Sequence, residues 1–230
     1  MDQILLIDKP AGMTSFGVAA RIRRILTEQV RAEYLKKGQT PPKRVKVGHT
    51  GTLDPFATGL LIIMTGKNTK KCRDFLNLDK TYEATIYLGA TSTTGDIEGE
   101  ITKNPTATPP STEQINTVIN DFQGEITQKL PKFSAIKVNG ERAYKLARRG
   151  ADFEMPERKI TVYKIEILNY NFPELTIRAH VSSGTYIRTL GEDIGKKLGT
   201  GGYLTALRRT KIGTYNIKDA RTLQSLGITD

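Results

Sequence analysis

The sequence has no tryptophan, one cysteine (Cys72) and two histidines (His49 and His180) in 230 residues. A single cysteine excludes an internal disulfide and suits a reducing compartment. Two isolated histidines with one thiol, and no His-x-x-x-His pair, leave no zinc cluster, so neither a metal nor a redox cofactor is expected. Long hydrophobic runs are missing too. The N-terminal one, Ile4 to Ile7, is short and lies between Asp2 and Asp8, which is no signal peptide. Nothing approaches the ~20 apolar residues of a membrane span. A cytoplasmic location is expected. Repeats with a period of tens of residues and low-complexity tracts are likewise absent, which excludes solenoids and arrays. Acids are under-represented: Asp plus Glu number 24 against 35 Lys plus Arg, a net charge of +11. That balance argues for a polyanionic partner, nucleic acid before an anionic membrane surface, with a merely solvated charged surface as the plainer alternative.

What is present concentrates in Lys46-Val47-Gly48-His49-Thr50-Gly51-Thr52-Leu53-Asp54-Pro55-Phe56-Ala57-Thr58-Gly59-Leu60-Leu61. Closely spaced glycines let a backbone take positive φ and approach a ligand. Pro55 pushes Asp54 out of the helical region, so its carboxylate sits on a bend. The same Asp-Pro step is also an ordinary helix start, with Phe56 to Met64 as the helix it would open. Both readings keep the carboxylate ionised.

Elsewhere, Gln3 to Ile7 reads as a buried strand broken at Lys9-Pro10-Ala11-Gly12. Thr14 or Ser15 caps a helix through Val18, Ile22, Ile25 and Leu26, which frays from Thr27 into a loop reaching Arg44. Lys67 to Leu78 reads as a basic helix. Tyr82, Ala84, Ile86 and Leu88 alternate with polar positions, the mark of a half-buried strand; Tyr82 enters it on the apolar side and is equally readable as a core tyrosine. Ser111 to Gln114 is a capping box before a helix whose apolar face ends at Phe122. Lys129 to Arg149 holds seven cations (129, 132, 137, 142, 145, 148, 149) against Glu141 alone, interleaved with Phe133 and Tyr144, a pattern suited to RNA and also to a solvated face. Strands at Lys159 to Leu168 and Leu175 to Val181 precede a helix through Ile187, Leu190 and Ile194. Arg188, in its first turn, opposes the macrodipole, which suggests an acidic partner elsewhere in the fold and is equally readable as an ordinary surface arginine. Leu207 to Lys211 is another cationic cluster. Strands and helices mix without strict alternation, which points to an α+β, mixed-sheet domain.

Several spaced motifs now fall into order. They are Asp8-Lys9-Pro10-x-Gly12-x-Thr14-Ser15; Gly48-His49-x-Gly51-x-Leu53-Asp54-Pro55-x-Ala57-x-Gly59; Lys80-x-Tyr82; Gly89, Thr94, Asp96 and Gly99; Phe133-Ser134-Ala135-x-Lys137-x-x-Gly140-x-x-x-Tyr144; Gly184 to Thr189; and Leu207-Arg208-Arg209. Over about residues 3 to 220 the sequence resembles the bacterial TruB-type tRNA pseudouridine synthases. The resemblance implies the α+β pseudouridine synthase fold, a curved and largely antiparallel mixed sheet flanked by helices with a cleft across its middle. It implies one catalytic domain over residues 1–230 with an RNA-gripping insertion at about 124–152, and without the full C-terminal PUA-like domain of other members. It implies isomerisation of the uridine at position 55, in the TΨC loop of tRNA, on a flipped-out nucleotide. Asp54 is then the catalytic carboxylate, with Tyr82 and Arg188 beside it in the active site. His49 contacts the RNA where the base leaves the stack, and Tyr82, Tyr186 and Leu207 line the base pocket. Lys137, Arg148, Arg208 and Arg209 are the RNA contacts. The expected partner is the tRNA T-arm, bound by a monomer with no cofactor. The alternatives are the catalytic subunit of a guide-RNA-directed complex and a non-catalytic RNA-binding protein; the joint presence of Asp54, Tyr82 and Arg188 argues against the last.

Overall fold

The computed structural model describes residues 2–228. They divide into two compact units, residues 2–80 with 208–228, and Thr81–Leu207.

The apolar run after the central motif organises the first unit. Thr58–Thr65 is a strand, so Asp54-Pro55 does not open a helix over Phe56 to Met64. Burial on both faces is the reason. Leu61 and Ile63 pack with Ile7, Val18, Ile22 and Leu26, whereas Leu60, Ile62 and Met64 pack with Ile212, Phe75 and Tyr215. A strand apolar on both faces reads as an unbroken run, which periodicity alone cannot separate from a buried helix. Ile4–Lys9 runs antiparallel to it, from Ile4 opposite Met64 to Lys9 opposite Gly59. Val47–His49 also pairs antiparallel with it, and Arg208 and Arg209 lie parallel opposite Thr58 and Gly59. The last contact requires glycine. A Cβ on Gly59, at φ +104°, would stand 2.3 Å from the Arg209 carbonyl oxygen.

One helix, Ser15–Lys36, covers this sheet, and the Thr14 side chain caps it by accepting from the Gly17 amide. It does not fray at Thr27. Val30 extends the Ile22–Leu26 stripe by another turn and is buried. The Thr27 hydroxyl donates to the Arg23 carbonyl and accepts from the Val45 amide, which ties the returning loop to the helix. The stretch expected as a basic helix is a 3-10 turn, Gly66–Lys71, running into the short helix Cys72–Leu76.

In the second unit the long strand Glu157–Asn171 pairs antiparallel on one side with Glu174–Val181 and on the other with Gly124–Lys129. Gly124–Lys129 therefore belongs to the sheet. What stands apart is the following stretch, a hairpin of Lys137–Val138 with Glu141–Arg142 and the helix Ala143–Arg148. It closes over a small core of Leu130, Ala143 and Met155. The strand Lys80–Leu88 alternates as expected, with Tyr82, Ala84, Ile86 and Leu88 buried. Helix Thr112–Asp121 starts at the Ser111–Gln114 capping box, and helix Ile187–Lys197 buries Leu190 and Ile194. The cationic cluster at Leu207 to Lys211 lies on the strand Gly202–Ile212. Among the described residues no helix is long and apolar enough to cross a membrane, and no group of three or more His, Cys, Asp or Glu could hold a metal ion.

Candidate active site

Asp54 is half-buried on a turn in which the Ala57 amide donates to its carbonyl at 3.2 Å. Its neighbours on both sides are held by buried polar side chains of the same unit. The Lys9 ammonium, fully buried, donates to the carbonyls of Pro10 (2.8 Å), Met13 (2.6 Å) and Pro55 (3.2 Å). The Ser15 hydroxyl accepts from the Leu53 amide at 2.8 Å and donates to the Leu53 carbonyl at 3.1 Å. The Gly12 amide donates to the Pro55 carbonyl at 2.8 Å. Arg209, 1% exposed, donates to the Leu60 carbonyl at 2.8 Å and the Gly51 carbonyl at 3.1 Å. Charge-assisted bonds to carbonyls in a dry setting are strong, so the bend carrying Asp54 is rigid.

Arg209 was expected to contact RNA. Its guanidinium is buried and bonded to backbone carbonyls, which makes this arginine a brace for the Gly51 turn. Arg208 stays partly exposed, but its fork is matched by both oxygens of Asp8, at 3.1 and 2.7 Å. His49 ends the strand Val47–His49, and its Nδ1 is buried without a hydrogen-bond partner. Burial first, and the Arg209 charge second, push its pKa below the ordinary histidine value. The imidazole is therefore neutral at neutral pH and offers a ring rather than a cation.

In the second unit Arg188 is 4% exposed in the first turn of its helix. Its guanidinium donates to the Thr94 carbonyl at 2.7 Å and the Phe133 carbonyl at 2.9 Å, and lies 3.4 Å from an Asp96 carboxylate oxygen. Asp96, 2% exposed, also accepts from the Thr94 hydroxyl at 2.6 Å and the Glu98 amide at 2.9 Å. An acidic partner for Arg188 was expected from its place against the helix dipole, and within this unit that partner is Asp96. Tyr82 (8% exposed) and Leu207 (7%) are both buried here. Tyr186 is bracketed by Gln128, whose side chain accepts from the Tyr186 amide at 2.8 Å and donates to its carbonyl at 3.0 Å. Gln128 is fully buried and fixes the backbone just before the helix of Arg188, whose N-cap position is Tyr186. Sequence reasoning passed over it because a glutamine in a polar strand carries no positional signal.

Glu192 follows Arg188 by one turn. Burial, reinforced by Asp193 and Asp96 and opposed by Arg188, raises its pKa from 4.5 to about 7. Because the folded value exceeds the unfolded one, the contribution of this group to stability is complete below about pH 4.5 and is lost as pH rises through about 7. The difference in unfolding free energy between Glu192→Gln and wild type should therefore grow in the variant's favour from pH 5 to pH 8. Urea titrations at four pH values read this, and parallel profiles would contradict it.

Lys137 and Arg148 are exposed on the hairpin and helix after Leu130. Arg148 lies over the Tyr144 ring at 5.7 Å, and Lys132 over Phe153 at 5.5 Å. Arg149 pairs with Glu141, an exposed ion pair of little weight. The cations of this segment are thus mixed with aromatic rings in space as well as in sequence.

Two family models match the chain, "TruB family pseudouridylate synthase (N terminal domain)" over residues 38–187 and "tRNA pseudouridylate synthase B C-terminal domain" over residues 188–228. The chain is 45% identical over 223 residues to the tRNA pseudouridine synthase B of Flavobacterium johnsoniae, covering 95% of itself and 91% of that relative. It is 40% identical over 227 residues to the protein of the same name from Corynebacterium efficiens, covering 97% and 71%. Among solved structures it is similar to a chain of a Cbf5-Nop10-Gar1 complex, with 29% identity and a TM-score of 0.71 over 97% of its own length. It spans about half of that solved chain, 53%. The α+β, mixed-sheet fold expected from the sequence is the one this likeness shows.

Proposed function

Because the chain belongs to the TruB family of pseudouridylate synthases, we propose that it isomerises uridine to pseudouridine in tRNA, at position 55 of the T-arm. The observation that supports the site assignment is the bend at Asp54, braced by three buried side chains (Lys9, Ser15 and Arg209) that bond to the backbone of its neighbours. The reaction breaks the N1–C1′ bond, turns the base and joins C5 to C1′; the C5 proton leaves and N1 gains one. An anionic side chain at the ribose carbon drives the first step, as nucleophile or as counter-charge to a cationic sugar. Asp54 takes that role. Tyr82, buried with its ring toward the apolar side of its strand, stacks on the base near the departing C5 proton. Arg188, locked by Asp96 and two carbonyls, supplies the fixed positive charge of the reaction. Tyr186 and Leu207 line the base pocket, and the neutral ring of His49 fills the space left by the everted nucleotide. Lys137 and Arg148 hold the phosphates of the T-arm. The enzyme acts as a monomer, without a cofactor, and its lone thiol and tRNA substrate support a cytoplasmic location.

The likeness to a chain solved with Nop10 and Gar1 favours, as second reading, a catalytic subunit that works only inside a larger complex. A bare T-arm stem-loop separates the two. The purified chain should convert its loop uridine without guide RNA, partner protein or added metal, and its affinity should fall steeply with salt as counterions are released. Conversion that requires a guide or a partner would establish the second reading instead.

A further inference from the structure

One side chain beside the Asp54 bend has no part in this scheme. Phe16 is 66% exposed, more than any other large hydrophobic of the described residues. A single exposed apolar residue is commonplace, and the surroundings are what make this one informative. The residue before it, Ser15, is buried and bonded to both backbone groups of Leu53, the neighbour of Asp54. The ring is thereby fixed to the loop that carries the carboxylate through a short, rigid path. Two helical turns on, the Arg23 guanidinium lies 5.9 Å from the ring centroid. The same guanidinium donates at 3.3 Å to the carbonyl of Val47, in the strand that ends at His49. A cation near 6 Å from an aromatic centroid orients the ring and enriches it as a stacking partner. Arg24, on the same helix, and Lys46, just before that strand, are exposed as well.

We propose that Phe16, backed by Arg23, is a stacking platform for a base of the tRNA substrate other than the target uridine. The inference rests on the functional reading above, which supplies the RNA. An aromatic face beside arginines suits a nucleic-acid base whatever its identity, because every base offers a π-face, while the guanidinium remains able to meet the adjoining phosphate. A peptide partner would call for an apolar groove, and a lone ring among cations is not one.

The chain contains no tryptophan, so the Phe16→Trp variant carries a single indole reporter at this position. Titration with T-arm stem-loop RNA should quench its emission along the same curve that gives the variant's binding constant. Phe16→Ala should raise KM roughly 5- to 150-fold, the range for loss of one stacked base. Its kcat at saturating RNA and its unfolding midpoint should stay unchanged, since the side chain lies outside the core. Phe16→Tyr should restore KM, and Phe16→Leu, apolar but without a π-face, should not. If wild type converts the RNA while the indole emission does not respond and Phe16→Ala keeps its KM, the platform is overturned and the functional reading stands. If the RNA quenches the indole but wild type makes no pseudouridine, the platform stands and the functional reading fails. A chain that neither binds nor converts the RNA overturns both.

Discussion

Asp54→Asn should bind T-arm RNA as wild type does and make no measurable pseudouridine, a loss in kcat of roughly four orders of magnitude or more, as for removal of an essential catalytic group. The substitution is nearly isosteric, and the bend is braced through the backbone groups of its neighbours. Lys9 bonds the Pro55 carbonyl, Ser15 the Leu53 backbone and Arg209 the Gly51 carbonyl. The loop should therefore keep its shape, and a loss of turnover with binding intact would report on chemistry alone. Single-turnover conversion measured beside a filter-binding titration reads both quantities. Turnover within about tenfold of wild type would remove Asp54 from the reaction, because an amide can neither attack a sugar carbon nor offset its positive charge.

Arg209→Met should behave in the opposite way, with the damage in stability and not in the counting of phosphates. The guanidinium is 1% exposed, and its loss leaves the carbonyls of Leu60 and Gly51 buried without these donors. Two charge-assisted bonds of this kind place the expected destabilisation at about 3–5 kcal/mol. Equilibrium urea unfolding measures it. The same variant distinguishes a brace from a phosphate ligand, since removing one phosphate contact lowers the slope of log affinity against log salt by about one. The slope should be unchanged even where the affinity drops through a loosened bend. His49 should respond as well: without the neighbouring charge that helps to depress it, its pKa should rise, which NMR titration of the imidazole can follow. A stable variant with a shallower salt slope would restore Arg209 to the RNA surface and undo the structural assignment.

Arg209 also shows where the sequence stops being legible. In a list of residues it is one cation of a basic cluster; only the parallel pairing of its strand with Gly59 turns its side chain inward. The run Leu60 to Met64 failed for a related reason, because a strand buried on both faces has no polar side to announce its period. Thr27 to Lys36 continued as helix because Val30 and Val45 find each other across the returning loop. By contrast, the helix at Ser111 was legible, since a capping box is a local signal and needs no tertiary partner. So was the strand from Tyr82 to Leu88, whose one buried face imposes strict alternation. In the candidate site, Asp54, Tyr82 and Arg188 were singled out by motif. The groups that hold Arg188 and Tyr186 in place, Asp96 and Gln128, were not identified as such, because each meets its partner across most of the second unit.

The most direct test of the whole account is site-resolved mapping of pseudouridine in an unmodified full-length tRNA transcript incubated with the purified chain alone. Conversion of one uridine, the one at position 55 in the T-loop, is the predicted result. A transcript left unmodified, or modified only outside the T-loop, would contradict it.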